Sequence, residues 1–210
     1  MYVRVSAQLI RAATDSHLWA ETYECNGADF FNFEAEIAED IAGQIGVTLS
    51  PASKDGPNAQ PSNTAAYEAY LRGRYFWNKR TLEGLEKSIA CYNQAIALDP
   101  KYGKAYAALG DSYVLLSSYG GPSPSESLMR ARDAARQALL LDSALAEAHT
   151  VLAAVKIDHD WDWPGATREF RRAIQLSPGY PTAHHWYALH LTRLGLNQEA
   201  EAGIKCALSN

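Results

Sequence analysis

The sequence predicts a mainly α-helical chain: a superhelix of antiparallel helix pairs, with a small β-hairpin and one helix in front of it. Three observations carry that expectation. A similar ending recurs as Ala95-Ile96-Ala97-Leu98-Asp99-Pro100, Ala138-Leu139-Leu140-Leu141-Asp142-Ser143 and Ala173-Ile174-Gln175-Leu176-Ser177-Pro178. Each ending is followed by a Tyr- or Ala-rich run, and self-similarity at about 34 residues is the mark of stacked helix-turn-helix units. Period-two alternation is confined to the first part of the chain, where strands are expected.

Residues 2–10 place Val3, Val5, Ala7 and Leu9 on one side of an extended segment. His17 to Glu24 form a second strand-like run with Leu18, Trp19 and Tyr23, and Thr14-Asp15-Ser16 supply turn chemistry between them. From Asp29, an N-cap residue, Phe30, Phe33, Ile37, Ile41 and Ile45 make one apolar stripe on a helix ending near Thr48. Two strands and one helix are too little to be stable alone. Residues 1–49 therefore read as the end of a larger α/β domain whose strand edges need cover, from the helical part or from a second copy. Residues 50–63, rich in Pro, Ser and Asn and nearly free of large apolar side chains, read as a linker.

From Thr64 the chain is read as helical pairs. Aligning Pro100, Ser143 and Pro178 as closing positions gives units of about 66–102, 103–145, 146–180 and 181–210. The second unit has Tyr106, Leu109, Gly110 and Tyr113 on its first helix and Ala131, Ala135 and Ala138 on its second. The third has Leu152, Ala153, Ala166 and Phe170; the fourth has Tyr187, Ala188, Gly195, Ala200 and Ile204. The first has Gly73, Phe76, Ser88 and Tyr92, with Leu71 and Tyr75 fitting a register displaced by one. Extra residues fall only between the helices of a pair, as at Gly120-Gly121-Pro122-Ser123-Pro124. This pattern resembles the tetratricopeptide (TPR) repeat. The resemblance implies that Gly73, Gly110, Ala131, Ala153, Ala166, Ala188 and Ala200 sit where helices cross, small enough for close backbone approach, and that Pro100 and Pro178 stop the second helix.

The run Asp160-Trp161-Asp162-Trp163-Pro164-Gly165-Ala166, with Glu169 to Ile174 and Ala183 to Ala188, resembles arrays of such repeats in bacterial multidomain regulators. Val3 to Ile10, His17 to Tyr23 and Glu36-Ile37-Ala38 resemble the end of the TolB-like domain that precedes those arrays. Cys25-Asn26-Gly27 and Phe33-Glu34 depart from that pattern. The resemblance implies a signalling protein whose output is a class III adenylate cyclase or a winged-helix DNA-binding domain, fused upstream.

The balance of charges is ordinary. At 47% hydrophobic and 20% charged residues the chain can bury a sizeable core, and a formal charge of -5 gives no pull toward nucleic acid. Arg72, Arg74, Lys79 and Arg80, the densest cationic run, are read as a solvated helix face. Cys25, Cys91 and Cys206 lack paired spacing and read as reduced thiols of a cytoplasmic protein. No apolar run approaches the roughly 20 residues of a membrane span.

Catalytic chemistry finds no motif: there is no Gly-x-Ser-x-Gly elbow, Gly-rich phosphate loop or Cys-His arrangement. Asp158, His159, Asp160 and Asp162 are read as turn and cap residues rather than a metal site, with Asp162 capping a helix that has Pro164 in its first turn. His184, His185 and His190 lack the i, i+4 spacing of a helical zinc pair; His184 is expected to pack and His185 to face the inner wall. The segment is thus expected to be no enzyme and to hold no metal or cofactor.

Recognition is the function the resemblance supports. In such repeats, positions two, five, nine and twelve of the first helix line a concave groove. Counting gives Tyr67, Tyr70, Arg74 and Trp77 in the first unit, Lys104, Ala107, Asp111 and Val114 in the second, Glu147, Thr150, Ala154 and Ile157 in the third, and Thr182, His185, Leu189 and Thr192 in the fourth. Repeats that capture chaperone C-termini carry Lys and Asn at positions five and nine; here those positions hold Tyr70 with Arg74 and Ala107 with Asp111. The expected partner is instead a protein or peptide segment with one acidic and some apolar side chains, anchored by Tyr70, Arg74 and Trp77. Self-association that regulates a fused cyclase or transcription domain is the alternative.

Overall fold

The computed structural model describes residues 2–11, 16–26, 37, 40, 41, 43, 44, 63–121 and 123–209. They divide between two compact units, Met1–Gln60 and Pro61–Asn210.

In the first unit, β1 (Tyr2–Arg11) pairs antiparallel with β2 (Ser16–Asn26), with Val5 opposite Tyr23 and Leu9 opposite Trp19. Alternation sends Val5, Ala7 and Leu9 inward and leaves Arg4, Ser6 and Gln8 exposed. Tyr23 centres a small cluster with Val5, Ala7, Trp19 and Ile37. Cross-strand pairs of Arg4 with Glu24 and Ser6 with Thr22 finish the wet face. An irregularity between Leu9 and Ile10 moves Ile10 opposite His17, and Leu18 is left 49% exposed; its place beside Trp19 in the apolar run did not make it a core residue. Ile37, Asp40, Ile41, Gly43 and Gln44 are helical, and the Tyr23 hydroxyl donates to Asp40 Oδ2 at 3.1 Å. The remainder of the helix expected over Asp29–Thr48, Thr14 and Asp15 of the turn, and residues 50–62 of the linker lie outside the described residues.

The second unit is four helix pairs: α1 (Thr64–Asn78) with α2 (Leu82–Leu98), α3 (Gly103–Ser118) with α4 (Pro124–Leu141), α5 (Ala146–Asp158) with α6 (Trp163–Leu176), and α7 (Pro181–Arg193) with α8 (Asn197–Ser209). Side chains start several helices where the sequence places cap residues. Asn63 Oδ1 accepts from the Ala65 N–H, Thr81 Oγ1 from Gly84, and Asp162 Oδ1 from Gly165, at 2.9, 3.0 and 2.9 Å. Pro124, Pro164 and Pro181 occupy first-turn positions that need no N–H.

The recurring ending makes the same turn each time. The backbone N–H groups of Tyr102, Leu145 and Tyr180 donate to the carbonyls of Asp99, Asp142 and Ser177, at 3.1, 3.4 and 3.1 Å. Asp99 and Asp142 also accept from the N–H two residues on. Pro100 and Pro178 lie just past the helix ends, where proline blocks continuation.

Packing across and between pairs is dominated by small residues. A Cβ on Gly73 would lie 2.5 Å from the Tyr92 ring, and one on Gly110 would lie 3.0 Å from Val151 Cγ1 and 3.1 Å from the Ala131 carbonyl. Ala153 and Ala166 are wholly buried with Ile157 and Phe170, and Ala188 packs with Leu191 and Ala200. Ser88 and Ser112 share a buried hydrogen bond of 2.9 Å between α2 and α3. Tyr75 is exposed while Phe76 is partly covered, which selects the register containing Phe76.

Each turn inside a pair contains one left-handed residue: Arg80 (φ 50), Gly120 (φ 79), Trp161 (φ 57) and Gly195 (φ 80). Glycine takes that conformation freely, whereas a residue with a Cβ is strained in it by about 1–2 kcal/mol. Trp161 is 75% exposed, so its side chain does little to offset the strain.

Two outcomes are expected in urea unfolding. Gly73→Val should lower stability by about 1–3 kcal/mol through overpacking against Tyr92. Trp161→Gly should raise it by about 0.5–1 kcal/mol, the relief of strain less the added freedom of the unfolded chain; a loss would show that the indole packs.

Candidate functional site

The first helices of all four pairs line one cavity of about 310 Å³. On α1, Tyr70, Arg74 and Trp77 fall at i, i+4 and i+7, one face of a helix. On α3, Lys104, Ala107 and Asp111 fall at i, i+3 and i+7, again one face, with small Ala107 leaving the space open. Glu147 closes the wall from α5, Pro181 and Thr182 from α7. Tyr92 of α2 and Tyr180 of the turn before α7 complete the lining.

Four charged side chains therefore share this cavity: Arg74, Lys104, Asp111 and Glu147. Among the described residues none of the four forms an ion pair, whereas ion pairs elsewhere join Arg132 to Asp160, Lys156 to Asp162 and Arg193 to Asp158. Asp111 is half-buried as a residue, but its Oδ1 is sealed from solvent and has no hydrogen-bond partner. Burial pushes its carboxyl up to about 7, with the positive charge of Arg80 pulling it down and the negative charge of Glu147 adding to the rise. The Trp77 Nε1–H is likewise sealed and without an acceptor.

Aromatic rings surround these groups. The Arg80 guanidinium lies over the Trp77 ring, 3.6 Å from its centroid. Tyr70 packs against Tyr67, Tyr92 and Tyr102, with centroids 6.3, 5.7 and 5.2 Å away. Burial raises the Tyr70, Tyr92 and Tyr180 phenols above their ordinary range, so all three are neutral donors near neutral pH.

A second cavity of about 160 Å³ lies along α3, α5 and α7 and is mainly apolar, lined by Val114, Ala154, Ile157, Phe170, Trp186 and Leu189. Arg193 and Asp158, paired at 3.1 Å, lie at its polar side.

Of the groove residues expected from repeat position, Tyr70, Arg74, Trp77, Lys104, Asp111 and Glu147 meet around the larger cavity, and Leu189 lines the smaller one. Tyr67 supports Tyr70 from behind, and His185 is exposed on α7, lining neither. Tyr92 and Tyr180 were not expected there, because counting along the first helices leaves out the second helix and the turn between pairs. Arg72, Arg74, Lys79 and Arg80 are all exposed, as a solvated run should be, and within it Arg74 also lines the cavity, Arg80 covers Trp77, and Lys79 sits 4.7 Å from the Tyr75 ring centroid.

The acidic turn is structural. Asp162 caps α6, and Asp160 accepts from Arg132 and lies 3.0 Å from His159 Nδ1. His184 Nε2 donates to the Pro178 carbonyl at 2.8 Å, and buried His190 is joined to Thr167 at 2.9 Å. Among the described residues no group of three or more His, Cys, Asp or Glu is placed to hold a metal ion, and no described helix is long and apolar enough to cross a membrane.

Residues 82–117, which span α2 and α3, match the family model described as TPR repeat. A thermophilic TPR protein of Thermus thermophilus superimposes with a TM-score of 0.57 at 17% identity, covering 87% of each chain. The first TPR of Spaghetti (RPAP3), solved bound to an HSP90 peptide, gives a TM-score of 0.49 at 15% identity, over 64% of this chain and 97% of that one. Over 154 residues, 72% of this chain, the sequence is 23% identical to "Putative adenylate cyclase 3" of Rhizobium meliloti (strain 1021). That stretch is 26% of the relative, so the chain spans about a quarter of its length. The helical unit thus has the TPR fold.

Asp111 ties the site to pH. Its raised carboxyl holds a proton in the folded chain that the unfolded chain has already released, so stability is lost as pH climbs from about 4 to about 7. Asp111→Asn should remove that loss. In urea unfolding the variant should match the native chain near pH 4 and exceed it by about 1–2 kcal/mol at pH 8; equal stabilities at pH 8 would show that Asp111 is satisfied.

Proposed function

We propose that residues 64–210 form a four-repeat recognition module whose inner wall holds a segment of a protein partner. The repeats run at about 66–102, 103–145, 146–180 and 181–210. The carrying observation is the cavity built jointly by α1, α3, α5 and α7, where Arg74 and Lys104 stand without ion-pair partners beside the rings of Tyr70 and Trp77. Two cations free of direct ion pairs, beside aromatic rings, suit an acidic side chain flanked by apolar ones. The role is scaffolding rather than catalysis, in the cytoplasm, with residues 1–49 as the end of a TolB-like domain and 50–63 as the linker.

A second reading, self-association that regulates a fused cyclase, has its own support. It draws on the similarity to the Rhizobium meliloti relative and on Ile204 of α8, 43% exposed.

An array of synthetic decapeptides, each with one Glu in an Ala, Leu and Phe background, separates these readings. Labelled protein should bind a subset, and Arg74→Ala or Trp77→Ala should each weaken that binding by about tenfold. Variants that bind like the native chain would exclude the cavity. Sedimentation that shows a dimer lasting to nanomolar concentration, and lost in Ile204→Lys, would favour self-association instead.

A further inference from the structure

We propose that the cavity selects a segment of mixed charge: the occupant that brings an acidic group to Arg74 and Lys104 also brings a basic side chain to Asp111. The inference rests on the reading of this cavity as a peptide site and names the second determinant of its specificity.

Geometry supplies the first argument. Asp111 Oδ1 is sealed from water with no donor in reach, and a buried acceptor left unpaired costs about 1–3 kcal/mol. Groups of this kind are rare in folded chains and call for an explanation. Asp111 also lines the cavity, so a cation seated there lies against this residue and favours its charged form without entering the closed space around Oδ1. The cavity lies at the lower end of the range usual for ligand sites, about 300–1,000 Å³, and its walls suit the aliphatic stem and charged head of Lys or Arg.

Electrostatics decides between a neutral donor and a cation. The groups facing Asp111 are Tyr70 and Arg74 of α1, Arg80 of the following turn, Tyr92 of α2, Lys104 of its own helix, Glu147 of α5 and Tyr180 ahead of α7. Glu147 repels the Asp111 charge. A neutral donor leaves that repulsion in place, whereas a cation in the cavity offsets it. Arg74 and Lys104, in turn, disfavour a ligand that is only positive. A neighbouring acid and base on one segment satisfy both halves of the wall.

The pH dependence has a definite sign. Asp111 ionises through about 7, and the buried phenols, raised by desolvation, stay neutral over that range. Preference for the basic side chain therefore grows from pH 6 to pH 8.

The test uses the full chain and two matched arrays of decapeptides. Both place one Glu in an Ala and Leu background; one adds Lys at every spacing from the Glu, and the other adds norleucine, which matches the Lys stem without its charge. At pH 8 the best Glu–Lys peptides should bind about tenfold more tightly than their norleucine partners. The advantage should shrink at pH 6 and vanish in Asp111→Asn, a variant expected to fold at least as stably as the native chain. Equal binding of the two arrays, or a Lys preference kept by Asp111→Asn, would overturn the inference and leave the peptide site standing. Binding to neither array would overturn the reading beneath it.

Discussion

Helices pack tightly against one another at the small residues Gly73, Gly110, Ala153 and Ala188, and the rest of the helical unit depends on that nearness. Where Gly73 faces the Tyr92 ring there is no room for even a methyl group. Where Ala153 meets Ala166 and Phe170, both alanines are wholly buried. Small residues bring backbones together, and larger ones, Leu85, Tyr92, Val151 and Phe170, fill the layers between at the density of a protein interior. Because the same contact recurs in each pair, the first helices come out side by side with their free faces turned the same way. The cavity is a by-product of that repetition.

Its lining contrasts with the rest of the surface. Elsewhere some charges pair at short range, as Lys87 with Glu83 and Arg130 with Glu126 along single helices. In the cavity, Arg74, Lys104, Asp111 and Glu147 share one enclosure without pairing. Aromatic packing among Tyr67, Tyr70 and Tyr102 backs the wall, in which Asp111 Oδ1 and Trp77 Nε1 are left without hydrogen-bond partners among the described residues. Stability lost at such a place is the usual companion of preorganised binding.

Much of this was legible in the sequence, for identifiable reasons. Strand alternation and the repeated ending depend on local periodicity, and the turns after Asp99, Asp142 and Ser177 depend on residues that shape their own backbone. Facing positions such as Arg74 and Asp111 follow from the helical period once the repeat boundaries are set. What stayed hidden depends on tertiary placement. Leu18 is exposed because alternation puts it on the opposite face of the strand from Trp19 and Tyr23, a consequence its place in the apolar run obscures. Tyr92 and Tyr180 reach the cavity from elements that the count along the first helices passed over. Arg80 lies over Trp77 because the turn holds it at positive φ, and no spacing rule foretells that an aspartate oxygen will be shut away without a donor.

Each helix touches chiefly the next one or two along the chain. Contacts so local favour rapid folding and let the ends fray independently of the middle. The cavity does not share that robustness, since its wall draws on α1 at one end of the stack and α7 near the other. Melting of either terminal pair dismantles the binding surface while the central pairs are still intact, so occupancy and the integrity of both ends are thermodynamically linked.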